Sequence, residues 1–206
     1  MRQENIVELV DVSGGDFAHA RAAWASTDTE ITPETEHRIP NLLKFLAMND
    51  HGTPFEHSMI TFRVQSDIAT HIHMLKHRTL SINSESARYK ELKRDSYYIP
   101  NDWPGYLQES TSNMVRQAQR NYHLLIKDLE AAGLSRTRAK ESARFLLPYA
   151  HQIRYCVTFN FRNFVHFYKL RASNHAQIEI RHIAEQMKVL LRNTGVFDES
   201  LSAFSL

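Results

Sequence analysis

From Met59 to Gln65 the side chains alternate in character. Ile60, Phe62 and Val64 fall on one face of an extended chain, while Met59, Thr61, Arg63 and Gln65 fall on the other. A period of two is the mark of a half-buried strand, because successive Cβ atoms point to opposite sides of a sheet. The pattern recurs at Ile153, Tyr155, Val157 and Phe159, interleaved with Arg154, Cys156 and Thr158. These two stretches commit the chain to a sheet with one buried face.

Most of the remaining sequence reads as helix. Ile6 to Val12 forms a first strand closed by the turn Ser13-Gly14-Gly15, and Asp16 is expected to cap a helix running through Ser26. Thr32 followed by Pro33 opens a helix to about Ala47, expected to bend near Pro40. Residues 67 to 77 look helical, and the polar stretch HRTLSINSESARYKEL, 77 to 92, reads as a loop at that helix's end. Beyond Tyr97-Tyr98-Ile99-Pro100, helical spacing links Val115, Ala118, Tyr122, Leu125, Ile126 and Leu129 until Gly133 stops it. Ser135 caps a further helix ending near Pro148, and Ala176, Ile180, Ile183, Met187 and Leu190 mark a last long one. There is no repeat, low-complexity tract or linker, and 206 residues suit one core. The expected fold is α+β: a helix-rich single domain over residues 1 to 206 with a small mixed or antiparallel sheet.

Charge excludes some functions. With 25 Lys and Arg against 23 Asp and Glu the net charge is +2, so no global field draws the chain to nucleic acid, and any anion site must be local. A small phosphorylated ligand fits that better than a polymer. The single Cys156 permits no intrachain disulfide, the N-terminus lacks the features of a signal peptide, and no apolar run approaches a bilayer span. A cytoplasmic protein without a membrane role is expected.

Within 77 to 92, the cations Lys76, Arg78 and Arg88 bracket Ser81, Asn83, Ser84 and Ser86, so charged groups and neutral donors can converge on one anion. A solvated turn whose Ser and Asn bond their own backbone is the plainer alternative. His73 and His77, four apart, suggest a metal pair, but no Glu lies between them and Lys76 opposes a cation. Cys156 lies inside an alternating strand and reads as a buried, inert thiol. Two further segments carry more polar groups than turns and caps need: Gly52 to Ser58, with Thr53, Glu56 and His57, and Lys169 to Ile180, with Arg171, Asn174, His175 and Gln177. Ser173 or Asn174 is expected to cap the last helix.

In combination these segments resemble the flavin-dependent thymidylate synthases. The family signature is Arg-His-Arg, seven residues, then Ser; here Lys76-His77-Arg78 is followed by Thr79 to Glu85 and Ser86. The likeness extends through VELVD at 7 to 11, RAAWAS at 21 to 26, TPFEH at 53 to 57, ARFLLP at 143 to 148, NFRNF at 160 to 164 and LRASNHAQ at 170 to 177.

The resemblance implies an FAD-dependent methyltransferase, a homotetramer with sites shared between chains. It would act on C5 of a uridine 5'-monophosphate, with methylenetetrahydrofolate and NADPH as co-substrates. By the same resemblance Ser86, Arg88 and Arg144 hold the 5'-phosphate, assisted by the backbone from Ser84 through Glu85 to Ala87, and Arg171 stabilises negative charge on the pyrimidine. Ser26, Thr53, Glu56, Lys76, His77, Arg78, Thr79, Asn160, Arg162 and His166 would line the flavin, and His51 would stand near flavin and folate. No usable Cys offers a thiolate for the other route to an activated C5, which agrees with electrostatic activation. Three positions depart from the family on the nucleotide side: Lys76 for the first Arg, His73 for a Gln, and Ser84 for a Glu that instead follows as Glu85. The implied nucleotide is dUMP, with UMP as the alternative. A non-catalytic nucleotide- or flavin-binding relative, and a metal hydrolase built on His73 and His77, are readings from other classes.

Overall fold

Four strands form one antiparallel sheet in the order β1-β2-β4-β3: β1 Ile6–Ser13, β2 Met59–Asp67, β3 Ser81–Ser84 and β4 Gln152–Phe159. The computed structural model describes all 206 residues. Side-chain bonds on the central pair step in opposite directions along the two strands: Thr61 and Thr158 share a hydroxyl bond of 2.9 Å, and Arg154 Nε donates to Gln65 Oε1 at 3.0 Å. The alternation predicted for these strands is realised, with Ile60, Phe62, Val64, Ile153, Tyr155, Val157 and Phe159 all buried.

Nine helices complete the fold: α1 Asp16–Trp24, α2 Pro33–Glu36, α3 Ile39–Met48, α4 Ile68–Leu75, α5 Gly105–Ala131, α6 Arg136–Ala143, α7 Phe161–Arg171, α8 Ile178–Arg192 and α9 Asp198–Ala203. None is long and apolar enough to cross a membrane. The chain divides into two compact units. Unit 1 comprises Met1–Ile6, Gln65–Lys76 and Asn83–Tyr155; unit 2 comprises Val7–Val64, His77–Ile82 and Cys156–Leu206.

Unit 2 has an aromatic core. Phe55, Phe62, Phe159, Phe161, Phe164, Phe167 and Phe197 are fully buried, and Phe161 stacks on Phe197 with ring centroids 5.4 Å apart. Inside it lies a polar chain: Asp16 Oδ1 accepts from the Ser200 hydroxyl, which meets His19 Nδ1 at 2.8 Å, while His19 Nε2 meets Ser58 Oγ at 2.9 Å. Burial, reinforced by His57, lowers the His19 pKa to about 4, so the ring is neutral. Unit 1 packs α5 against α6 and buries Tyr97, Ile99 and Val115. Gly133, at φ +96°, ends the polypeptide turn after α5, as its position in the sequence suggested.

Several expectations need correction. Asp16 does not cap its own helix; Gly15 stands at that N-cap, and the Asp16 carboxylate instead accepts the backbone N–H groups of Glu199 and Ser200 at the start of α9. The helix expected from Thr32 to Ala47 is two, α2 and α3, because Pro40 is accommodated in the first turn of a new helix rather than inside an old one. The polar stretch is not all loop: Ser81–Ser84 pairs as the edge strand β3, its hydrogen bonds supplied by β4 rather than by local propensity. Helix α7 was not anticipated. Neither Ser173 nor Asn174 caps α8, whose N-cap is Gln177; Ser173 Oγ accepts from His175 N at 3.3 Å instead. Cys156 is exposed, not buried, since strand alternation puts it on the face shared with Arg154 and Thr158.

Candidate active site

Helix α7 organises the polar groups of unit 2. Phe161, Phe164, Val165, Phe167 and Tyr168 are its buried residues, and Asn160 caps it, its side-chain oxygen accepting from Asn163 N at 2.9 Å. This leaves Arg162, His166 and Lys169, spaced by four and three residues, exposed along one side. They line a cavity of about 390 Å³ together with His51, Gly52, Leu46, Val165 and Phe204. Arg162 Nη1 bonds Glu56 Oε1 at 2.6 Å. Both partners are substantially exposed, so the pair adds at most about 1 kcal/mol to stability, and its effect is to aim the guanidinium. Gly52 makes room for it: a Cβ there would stand 2.6 Å from Arg162 Nε.

At the end of α7, Arg171 Nε donates to His77 Nε2 at 2.8 Å. A guanidinium can only donate, so His77 Nε2 accepts and its ring proton sits on Nδ1. His77 is buried and lies edge-on to Phe167 with centroids 5.0 Å apart. Its pKa falls to about 4, first through burial, then through the charge of Arg171 and the neighbouring His166. Burial also lowers the pKa of Arg171, which stays charged. A neutral histidine thus fixes the plane of a partly buried cation.

The other expected flavin residues of unit 2 have varied surroundings. Thr79 accepts from Asn163 Nδ2 at its carbonyl, 2.8 Å, and Ser26 Oγ donates to Ala23 O at 2.9 Å. Thr53 opens a short 3-10 helix that ends at Glu56, and Arg78 is exposed. His51 stands edge-on to Phe45, 5.9 Å between centroids.

Unit 1 contains the expected nucleotide residues other than Arg171. Asp67 accepts from Thr70 N at 2.8 Å to start α4, which presents His73 and ends at the exposed Lys76. His71 Nε2 meets Ser84 Oγ at 2.8 Å, so Ser84 is held from α4. The Glu85 carboxylate is committed within the chain: Lys90 bonds it at 2.9 Å, Arg94 at 2.7 Å, and the Arg154 N–H at 2.9 Å. Burial pushes its pKa up, but these bonds and charges outweigh that and leave it lowered. Ser86 Oγ accepts from Arg88 N at 3.3 Å, Ala87 is half-buried, and Arg88 Nε bonds Glu141 Oε1 at 3.0 Å. Arg144 is exposed at the start of a 3-10 turn after α6. No group of three His, Cys, Asp or Glu residues could hold a metal ion.

The sequence reading missed Lys169, Gly52 and His71. Lys169 was recoverable from its spacing to Arg162 and His166 once α7 was recognised. Gly52 and His71 act through packing across separate segments, for which no local signal exists.

Comparisons with known proteins point to one family. The family model described as thymidylate synthase complementing protein matches residues 5–194. A flavin-dependent thymidylate synthase of Thermotoga neapolitana is 33% identical over 196 residues, covering 92% of this chain and 86% of the relative. That of Thermosipho africanus is 32% identical over 197 residues, covering 88% and 83%. Among solved structures, the UMP/dUMP methylase PolB from Streptomyces cacaoi bound with 5-Br UMP matches with a TM-score of 0.80 at 28% identity, over 99% of this chain and 95% of that one. Bound with 5-Br dUMP, PolB gives 0.78 at 30%, over 99% and 96%. With a match across nearly its full length, the chain belongs to the thymidylate synthase complementing protein family, that of the flavin-dependent thymidylate synthases.

Proposed function

We propose that the chain is an FAD-dependent methyltransferase that converts dUMP to dTMP with methylenetetrahydrofolate and NAD(P)H, working as a cytoplasmic homotetramer with shared sites. The observation that carries this reading is the Arg171–His77 bond. C5 of uracil is a weak nucleophile, and a cation fixed against the pyrimidine at N3 and O2 favours the N3-deprotonated ring, whose negative charge is delocalised onto C5 and makes that carbon nucleophilic. A neutral His77 suits that task, because it orients Arg171 without competing for the anion.

Ser86, Arg88 and Arg144, with the backbone of Ser84 to Ala87, hold the 5'-phosphate through charge-assisted bonds. The unit 2 cavity, about 390 Å³ and near the lower end of small-molecule pockets, has room for one part of a dinucleotide coenzyme. Its cations Arg162 and Lys169 suit an anionic portion, and Leu46, Val165 and Phe204 suit a planar aromatic one. Ser26, His51, Thr53, Glu56, Arg78, Thr79, Asn160 and His166 complete the flavin set in this reading, with Lys76 and His77 at the junction of the signature. When bound, the flavin supplies the reducing electrons that bring the transferred carbon from methylene to methyl level. In the balance, a C5–C bond forms, the methylene carbon's two bonds to folate nitrogen break to release tetrahydrofolate, the C5 proton and one further proton go to those nitrogens, and NAD(P)H provides the hydride equivalent that completes the methyl group.

UMP is the second reading, favoured by the solved neighbours whose bound ligands are 5-Br UMP and 5-Br dUMP. Turnover of each nucleotide with methylenetetrahydrofolate and NADPH, with the product identified by mass spectrometry, tests both. A preference for UMP reverses the first choice, and binding of nucleotide and flavin without product from either removes the methyltransferase assignment.

A further inference from the structure

Unit 1 has a second cavity, of about 510 Å³, that shares only Glu85 with the residues assigned above. Its size lies well within the range of small-molecule sites. Five cations line it, Lys90, Lys93, Arg94, Arg136 and Lys140, against two carboxylates, Glu85 and Glu91. Both carboxylates are already matched. Glu85 binds Lys90 and Arg94, and Glu91 binds Arg136 at 3.1 Å and His123 at 2.7 Å. Lys93 is exposed, and the Lys140 ammonium holds only the Tyr89 carbonyl, at 2.7 Å. Arg136 is held by Glu130 as well, at 2.8 Å, so the positive charge without a carboxylate of its own is that of Lys93 and Lys140, and a concave wall focuses its field.

A second observation comes from two residues that line the same cavity. Arg94 Nε and His151 Nε2 are buried without a hydrogen-bond partner. Gln119 Nε2 bonds His151 Nδ1 at 2.9 Å. An amide nitrogen only donates, so Nδ1 accepts and the ring proton is on Nε2. Both orphan atoms are thus N–H donors, and each unmade bond costs about 1 to 3 kcal/mol. What the wall lacks is an acceptor. The two donors are closed to solvent, so an entering anion meets the exposed lysines first.

We propose that this cavity binds a small phosphate-type oxyanion, orthophosphate or diphosphate, on the rim formed by Lys90, Lys93, Arg94 and Lys140. Lysine point charges suit a tetrahedral oxyanion, which presents acceptors in every direction. The wall of the cavity, Tyr89 to Arg94, follows Ser86 and Arg88 in the chain. The oxyanion site does not rest on the proposed function.

The test is calorimetric titration of the purified full chain with orthophosphate and with diphosphate at constant ionic strength, with ¹⁵N-histidine spectra recorded alongside. The titrations are repeated on Arg88→Ala, which weakens the proposed nucleotide-phosphate grip, and on Lys93→Glu, an exposed position that leaves the core intact. Saturable binding that survives Arg88→Ala, weakens at least fivefold in Lys93→Glu and shifts the His151 ring signals is expected. Absence of saturable binding, or binding that Lys93→Glu leaves unchanged, overturns the proposal. If oxyanion binding behaves as expected while neither dUMP nor UMP is methylated, the cavity stands and the methyltransferase reading falls.

Discussion

The bond from Arg171 to His77 can be removed without disturbing either charge. His77→Leu deletes the acceptor 2.8 Å from Arg171 Nε and keeps an apolar side chain against Phe167. A hydrogen bond to a charged group contributes about 1.5 to 3 kcal/mol. At about 1.4 kcal/mol per factor of ten, losing it should cut kcat by roughly 10- to 150-fold. His77→Gln returns an acceptor near the position of Nε2 and should recover most of that loss. The assay is steady-state turnover of dUMP and UMP, with flavin content read from absorbance and folding checked by thermal melting. If Arg171 acts mainly on the transition state, kcat falls far more than nucleotide KM rises. The pH profile gives an independent check. With the His77 pKa lowered to about 4, the ring stays an acceptor above roughly pH 5, so no activity loss assignable to His77 appears between pH 6 and 8. Unchanged kcat in folded, flavin-loaded His77→Leu would refute the reasoning, as would a Gln variant no better than Leu.

Other perturbations probe separate parts of the molecule. Arg88→Ala should weaken nucleotide binding by tenfold or more on the same hydrogen-bond scale, measured by titration; unchanged affinity removes Arg88 from the phosphate grip. Gly52→Ala is compatible with the local backbone, φ −76°, but displaces the Arg162 guanidinium. It should leave the melting temperature within a few degrees while flavin affinity falls several-fold, and unaltered flavin affinity would count against the unit 2 cavity. Cys156→Ser should keep full turnover, and the native thiol, being exposed, should react with a thiol reagent before unfolding; abolished turnover would show that sulfur takes part. Stability should fall on acidification. Unfolded His19 takes a proton near pH 6.5, while the folded ring refuses it until about pH 4, so stability is level above that window and drops through it. His19 alone contributes on the order of 3 kcal/mol to that drop. Denaturant midpoints compared at pH 7 and pH 4.5 measure it, and a flat profile would refute the buried neutral histidine.

The sequence by itself determined the elements whose signal is local. Strands β2 and β4 were legible because a half-buried strand writes a period of two into Ile60, Phe62 and Val64 and into Tyr155, Val157 and Phe159. Helix α5 was legible because an amphipathic helix writes its own longer period, and Gly133 ends it at a positive φ that other residues avoid. The separated motifs from Val7 to Gln177 likewise placed the chain in its family, since side-chain chemistry in a set order survives wide divergence elsewhere.

Tertiary structure decided whatever depends on partners distant in sequence. Asp16 caps α9 rather than α1, because its carboxylate meets N–H groups more than 180 residues away. Ser81–Ser84 becomes a strand because β4 offers it hydrogen bonds, and Cys156 is exposed because strand alternation turns it away from the buried face of Tyr155 and Val157. The state of His77 belongs here too. Its residue type was visible, but whether it is charged or neutral, donor or acceptor, follows from burial and from the approach of Arg171, 94 positions along the chain. Periodicity is a property of neighbours in sequence, whereas desolvation and charge are properties of neighbours in space.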